Sequence, residues 1–349
     1  MSQIHEDVQE YYGETLKTNE DLLTSACCPT DAMPAYLRPL VGNVHEEIVS
    51  KFYGCGSPIP PKLDGMTVLD LGSGSGQDCY VLSQLVGESG QVIGVDMTDQ
   101  QLDVARKYID YHTEKFGFAK PNISFVKHFI EDLSSIEDAS VDLVVSNCVI
   151  NLAPEKDKVF AEIYRILKPG GELYFADVFA DRRLSAELKA DPVIVGECLG
   201  GALYVEDYRR QMSGLGFNMS YTVSNSVLSV EDEALKPKLE HINFTSQTVR
   251  AFKIEAEDRE EDYGHKARYD GSIAEIADAF VLDQNHSFAA GEWVSVSGNV
   301  ANILSQSRYK DAFEVEGSFE AHHGGFASDE VVAASESCCA PAAATTGCC

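Results

Sequence analysis

Ten cysteines stand at Cys27, Cys28, Cys55, Cys79, Cys148, Cys198, Cys338, Cys339, Cys348 and Cys349. They form no Cys-x-x-Cys pair and no zinc-finger spacing; the nearest patterns are the vicinal pairs 27–28, 338–339 and 348–349. Residues 1–10 carry acids and no apolar core, so the expectation is a cytoplasmic protein without a secretory signal. In such a chain, thiols point to metal, redox or catalytic use before structural disulfides. His45, His112, His128, His241 and His265 show no ligand spacing, so no hydrolytic metal site is expected. No Ser-His-Asp set or Gly-x-Ser-x-Gly elbow is visible either.

A second candidate for chemistry is the stretch Asp-Leu-Gly-Ser-Gly-Ser-Gly over residues 70–76. An apolar run at 66–69 precedes it, and Cys79, Leu82, Leu85 and Val86 continue it at helical spacing. A strand, a glycine turn and a helix bring backbone N–H groups close to a cofactor. Asp96 ends the next apolar run, 20 residues after Gly76, where an acid can accept both ribose hydroxyls. The dinucleotide fingerprint needs Gly-x-Gly-x-x-Gly, and here Gly76 comes one residue too early. Together with Asp70, that shorter loop fits S-adenosylmethionine better than NAD.

The elements that must position these residues alternate from residue 66 onward. Strands are expected at 66–69, 91–95, 123–126, 141–146 and 172–178, with helices between them. Thr98 and Gln101 read as a capping box. Lys168-Pro169-Gly170-Gly171 reads as a helix stop. Two further strands at 221–230 and 245–254, with a short helix near 233–239, complete a seven-stranded, doubly wound α/β core over 61–256. A mostly helical insertion occupies 181–217. Residues 1–60 read as a helical cap, with one apolar face at Val8, Tyr11, Tyr12 and Leu16 and another at Val41, Val44, Ile48, Val49 and Phe52. The charged run at 257–262 reads as a solvated linker. Residues 257–326 form a small mixed or β-rich module, and 327–349 a disordered, Cys-containing tail.

In open α/β sheets, ligands bind outside the carboxyl ends of strands. Asn147 and Cys148 stand at such an end, so a thiol there faces the reactive end of a cofactor; burial as a small hydrophobe is the competing reading. Cys198 lies among Gly196, Gly200 and Gly201, which signals either close backbone packing or a mobile lid. Cys55 stands in a similar glycine-flanked loop, and Cys79 reads as core. Acidic residues outnumber basic ones 56 to 27, for a net charge of −29, which argues against nucleic acid or anionic membranes as partners. No run approaches the roughly 18 apolar residues of a membrane span.

Four motifs together resemble the arsenite methyltransferases. They are Asp-Leu-Gly-Ser-Gly-Ser-Gly-Gln-Asp-Cys-Tyr-Val-Leu-Ser, Asn-Val-His-Glu-Glu with Tyr-Gly-Cys-Gly, Ser-Asn-Cys-Val-Ile-Asn-Leu, and Gly-Glu-Cys-Leu-Gly-Gly-Ala-Leu-Tyr. The similarity covers roughly residues 8–325. It implies a class I S-adenosylmethionine methyltransferase core of Rossmann-like topology that methylates trivalent arsenic for detoxification. In matching positions, Cys148 and Cys198 would always hold arsenic, and Cys55 would be the third ligand for the first methylation. Cys27 would exchange disulfides with Cys55 or help deliver arsenic, and Cys28 could share that role. Tyr53 would lie near the sulfonium, and Gly72, Ser73 and Gly74 near the methionine moiety. Asp96 and Met97 would bracket ribose and adenine, Ile130 and Glu131 would meet the adenine edge, and Asn147 would line the site. As(III) is soft and suits thiolates. The resemblance implies arsenite or its thiol conjugates as the small-molecule substrate, and turnover implies a dithiol reductant of the thioredoxin or glutathione type. A monomer is expected. Two other readings stand beside this one: a small-molecule C- or O-methyltransferase, and a thiol-based metalloid-binding protein supported by the tail cysteines.

Overall fold

The run Thr67–Leu71 is buried on both faces after its first residue, as the central strand of a parallel sheet must be. In the computed structural model this strand, β1, is the axis of the molecule. The structure describes residues 33–326, apart from Tyr53, Cys55, Gly56, Glu231, Asp232 and Ala234. The expected face at Val8–Leu16, the candidates Cys27, Cys28, Tyr53 and Cys55, and the tail from 327 therefore lie outside the described residues.

Around β1 stand β2 (Gln91–Asp96), β3 (Ile123–Lys127), β4 (Val141–Asn147), β5 (Leu167–Ala180), β6 (Leu203–Tyr204), β7 (Ser220–Val227) and β8 (Phe244–Phe252). Their order is β3-β2-β1-β4-β5-β8-β7, with the two-residue β6 alongside β5. The pairs from β3 through β5 are parallel, and β8 runs antiparallel to both β5 and β7. The chain passes from one side of β1 to the other between β3 and β4. That reversal opens a crevice at the carboxyl ends of β1 and β4, where open α/β sheets bind ligands.

Alternation along β1 sends Val68 to one face and Leu69 and Leu71 to the other. Helices α1 (Arg38–Val41), α2 (Glu46–Val49), α3 (Gln77–Val86), α4 (Asp99–Lys107) and α5 (Ile109–Phe116) belong to the first face, where Leu37, Ile48, Tyr80, Leu82 and Leu102 are buried. The opposite face is covered by α6 (Lys156–Ile166) and, from the insertion, α9 (Val205–Leu215), through Phe160, Ile163, Tyr208 and Met212. Between them the insertion carries α7 (Ala186–Ala190), α8 (Pro192–Gly196) and β6. The short helix α10 is Lys236–Leu239.

Several expectations change on inspection. Helix α4 begins after Thr98 as read, but no capping box forms: Thr98 makes no side-chain cap hydrogen bond, and its hydroxyl bonds Asp96 instead. Residues 168–171 do end helix α6, yet they bulge out of β5 between the Val141↔Leu167 and Leu143↔Glu172 pairs rather than forming a separate loop. The charged run at 257–262 is not a free linker. The amide of Glu257 donates to Asn299 Oδ1 at 2.8 Å, Asn299 Nδ2 donates to the Arg259 carbonyl at 2.9 Å, and Tyr221 Oη donates to Glu260 at 2.9 Å. Helix α11 (Gly298–Gln306) and a three-stranded antiparallel sheet build the C-terminal module. Its core includes Tyr221 and Phe252 of the main sheet. A buried ion set seals the contact: Arg250 meets Glu172 at 2.6 Å, the Leu282 carbonyl at 3.1 Å and Tyr309 Oη at 2.8 Å, and Arg308 also pairs with Glu172.

Candidate active site

The turn after β1 is built by glycines whose backbone no other residue adopts cheaply. Gly72, Gly74 and Gly76 have φ of 71°, 51° and 94°. The amides of Gly72 and Ser73 donate to the Val95 carbonyl at 2.8 and 3.0 Å, which ties the turn to the end of β2. Gly76 then caps α3 in the left-handed region. A Cβ on Gly74 would meet nothing within 4 Å, whereas one on Gly72 would lie 2.3 Å from Val149. The turn thus faces open space on one side and presses on the residue after Cys148 on the other.

Carboxylates ring that space. Asp96 Oδ2 accepts from the Gly74 amide at 2.9 Å and Oδ1 from the Thr98 amide at 2.8 Å. Asp70 Oδ2 accepts from the Cys79 thiol at 3.1 Å. Asp78 Oδ2 accepts from Asn147 Nδ2 at 3.0 Å. Burial disfavours the charged form of all three: Asp96 is raised, Asp70 is raised well above the usual carboxylate range with Asp78 adding to the effect, and Asp78 is pushed up to about 6. No cation forms an ion pair with any of them among the described residues.

Beyond Asn147 the chain turns sharply at Cys148, which has φ 55° and is 4% exposed. Cys198 has φ 60° and is 5% exposed. A non-glycine residue in this region costs of order 1–3 kcal/mol, and such strain gathers at functional sites. The Cys198 thiol donates to the Cys148 carbonyl at 3.5 Å, although 50 residues separate them. Cys148 takes part in a disulfide. Its amide donates to the Ala176 carbonyl at 2.8 Å, which fixes it to β5.

The insertion reaches Cys148 because Gly201 lies against the backbone of Asn151. A Cβ there would stand 1.8 Å from the Asn151 carbonyl oxygen. Asn151 is itself held by β5: its amide donates to Asp177 Oδ2 at 3.0 Å and its side chain to the Val178 carbonyl at 2.6 Å. Close backbone packing, not a lid, is the role of that glycine. Burial raises Asp177 to about 7, and it lowers the neighbouring Lys156, bonded to the Ala153 carbonyl at 2.9 Å, to about 8.

One cavity brings together Asp70, Gly72, Ser73, Gly74, Asp96, Met97, Ile130, Glu131, Asn147 and Cys148. Gly76 is not in its wall but caps the helix behind it, and Cys198 reaches it through Cys148. Lys51, Asp78, His128 and Phe129 also line the cavity and escaped the reading of the sequence. Asp78 carried a visible signal, an acid two residues past the last loop glycine.

The cavity's chemistry fits S-adenosylmethionine. Ser73 Oγ is buried with no hydrogen-bond partner among the described residues, so it awaits a polar ligand. Three carboxylates without a counter-cation suit a ligand that carries a sulfonium and an ammonium.

Comparison with known proteins agrees with that geometry. A family model described as a methyltransferase domain matches residues 62–240, and one described as an arsenite methyltransferase C-terminal domain matches 263–349. The arsenite methyltransferase of Aquipseudomonas alcaligenes is 52% identical over 326 residues, covering 93% of this chain and 94% of its own. The human arsenite methyltransferase is 43% identical over 319 residues, covering 89% of this chain and 84% of its own. The crystal structure of the arsenic (III) S-adenosylmethionine methyltransferase of Chlamydomonas reinhardtii superposes with a TM-score of 0.82 at 42% identity, over 85% of this chain and all of that one. The core is a class I S-adenosylmethionine methyltransferase fold, and the chain belongs to the arsenite methyltransferase family.

Proposed function

We propose that this protein methylates trivalent arsenic, with S-adenosylmethionine as donor and cysteine thiolates as the arsenic ligands. The observation that carries the reading is the meeting of Cys148 and Cys198, both in strained backbone, beside the glycine-loop cavity. Asp70, Ser73, Gly74, Asp96, Met97, Ile130, Glu131 and Asn147 would hold the cofactor, with Tyr53 near its reactive end. The bound cofactor supplies an electrophilic methyl carbon on a cationic sulfur.

The chain's own part is to bind and aim the acceptor. Thiolates replace hydroxyls on As(III) because both partners are soft. Cys148, Cys198 and Cys55 would fill three positions and leave the arsenic lone pair free. A monomethylated substrate offers only two exchangeable positions, so Cys148 and Cys198 would suffice for it. Fixing the acceptor beside the donor converts an encounter into an intramolecular step, an effect worth up to about 7–11 kcal/mol in well-aligned cases. The disulfide at Cys148 supports a need for reduction before arsenic binds, hence a dithiol partner of the thioredoxin or glutathione type. Cys27 would relay that exchange. The protein would act as a cytoplasmic monomer in detoxification.

Serine substitutions test the assignment. Cys148→Ser and Cys198→Ser should each abolish methylation of arsenite and of monomethylarsenite. Cys55→Ser should lose only the first. Equal loss of both steps in Cys55→Ser would refute the three-then-two scheme, and retained turnover in the other two would favour a different small-molecule acceptor.

A further inference from the structure

Three carboxylates face the cofactor cavity, Asp70 and Asp78 buried and Asp96 half-buried, and they are not equivalent. Asp96 spends both oxygens on backbone amides, Gly74 and Thr98. Asp70 bonds the Cys79 thiol behind the loop. Asp78 belongs to the first turn of α3 and is bonded at 3.0 Å to Asn147, the residue next to Cys148. A methyl group that passes from the cofactor to arsenic on Cys148 has to cross the gap between the glycine turn and the end of β4. The Asp78–Asn147 bridge spans that gap. The donor sulfur, which loses its positive charge as the arsenic lone pair takes up the methyl group and that charge passes to arsenic, would therefore stand near it. Before transfer the sulfur is a sulfonium; with the methyl group gone it is a neutral thioether.

We propose that Asp78 is the specificity residue that reads this charge, holding the sulfonium form of the cofactor and letting the neutral product leave. The inference rests on S-adenosylmethionine as the donor and adds a role for a residue outside the cofactor set named above. The helix position favours an anion at Asp78, while burial opposes it and places its titration at about 6. The other charged or titratable groups facing the cavity are Asp70, Asp96, Lys51, His128, Glu131 and, once reduced, the Cys148 thiol, with the Cys79 thiol behind Asp70. Asn147 fixes the carboxylate, so it cannot swing away when the sulfonium charge disappears. It acts through charge on the cofactor and makes no bond to arsenic.

Calorimetric titration of the full-length, dithiol-reduced protein with S-adenosylmethionine and, separately, S-adenosylhomocysteine tests this. Asp78→Asn should raise the Kd for S-adenosylmethionine about tenfold or more while changing that for S-adenosylhomocysteine less than about threefold. In steady state, KM for the donor should rise and KM for arsenite should hold. In the unsubstituted protein the preference for the cation should shrink as pH falls from about 7.5 to about 5, and in Asp78→Asn that pH dependence should flatten. If the asparagine variant does not fold, Asp78→Glu carries the test, since moving the charge should weaken the sulfonium form alone. Equal weakening of both ligands would overturn the inference, as would an unchanged ratio; either leaves the methyl-donor reading intact. Failure of the unsubstituted protein to bind either ligand would overturn both.

Discussion

Gly201→Ala should separate arsenic chemistry from cofactor binding. The added Cβ would lie 1.8 Å from the Asn151 carbonyl oxygen and 2.7 Å from its carbon. A carbon–oxygen contact relaxes at roughly 3.3 Å, so one side must retreat by about 1.5 Å. Asn151 is anchored to β5 through Asp177 and the Val178 carbonyl, so the insertion gives way. Cys198 precedes Gly201 by three residues, and the turn between them is tied to α8 by the Gly200 amide on the Ile194 carbonyl at 2.8 Å. The displacement therefore carries Cys198 away from Cys148. A misplacement of about 1 Å can cost about 100-fold in rate, equivalent to about 2.7 kcal/mol. Neither Gly201 nor Cys198 lines the cofactor cavity, so S-adenosylmethionine affinity should stay within about twofold. The assay pairs calorimetric titration of the cofactor with initial rates of arsenite methylation. A rate within about threefold of the unsubstituted protein would refute the argument that this glycine sets the position of Cys198. So would a parallel loss of cofactor affinity.

Other consequences follow from the same structure. Arg250→Met leaves Glu172 buried with only Arg308, and should destabilise the chain by about 3–5 kcal/mol in denaturant unfolding; a loss below about 1 kcal/mol would show that the module docks without this pair. The raised titration of Asp78 means that the ligand-free fold holds this proton more tightly than the unfolded chain does. Its contribution is complete below about pH 4 and lost as pH climbs through about 6, so the stabilisation given by saturating S-adenosylmethionine should be larger at neutral pH than at pH 5, as read by thermal unfolding. Omission of dithiol should weaken arsenite binding more than about tenfold, because Cys148 is then tied in its disulfide; undiminished binding would place arsenic elsewhere.

The parts of the site legible in the sequence are those held by neighbours in the chain. The strand, the glycine turn and Asp96 announce themselves because a close approach to a cofactor demands glycine within a few residues of a buried strand. The approach of Cys198 to Cys148 is different, since it depends on an Asn151–Gly201 backbone contact that no local pattern encodes. Motif similarity, not spacing, joined those cysteines in advance. Their left-handed backbone was equally hidden, because cysteine gives no sign of it as glycine does. The capping box failed for a reason of site chemistry: Asp96 draws both the amide and the hydroxyl of Thr98 to itself. The charged run at 257–262 looked like solvated chain because the Asn299 and Tyr221 groups that fasten it lie about 40 residues away on either side.

The central claim is that thiolates present arsenic to a methyl donor held by the glycine loop. Arsenic speciation over time, in a mixture of the protein, As(III), S-adenosylmethionine and a dithiol, tests it most directly. The account predicts methylated arsenicals over many turnovers, with one S-adenosylhomocysteine formed for each methyl group transferred. Stoichiometric capture of unmethylated arsenic with no S-adenosylhomocysteine would contradict it.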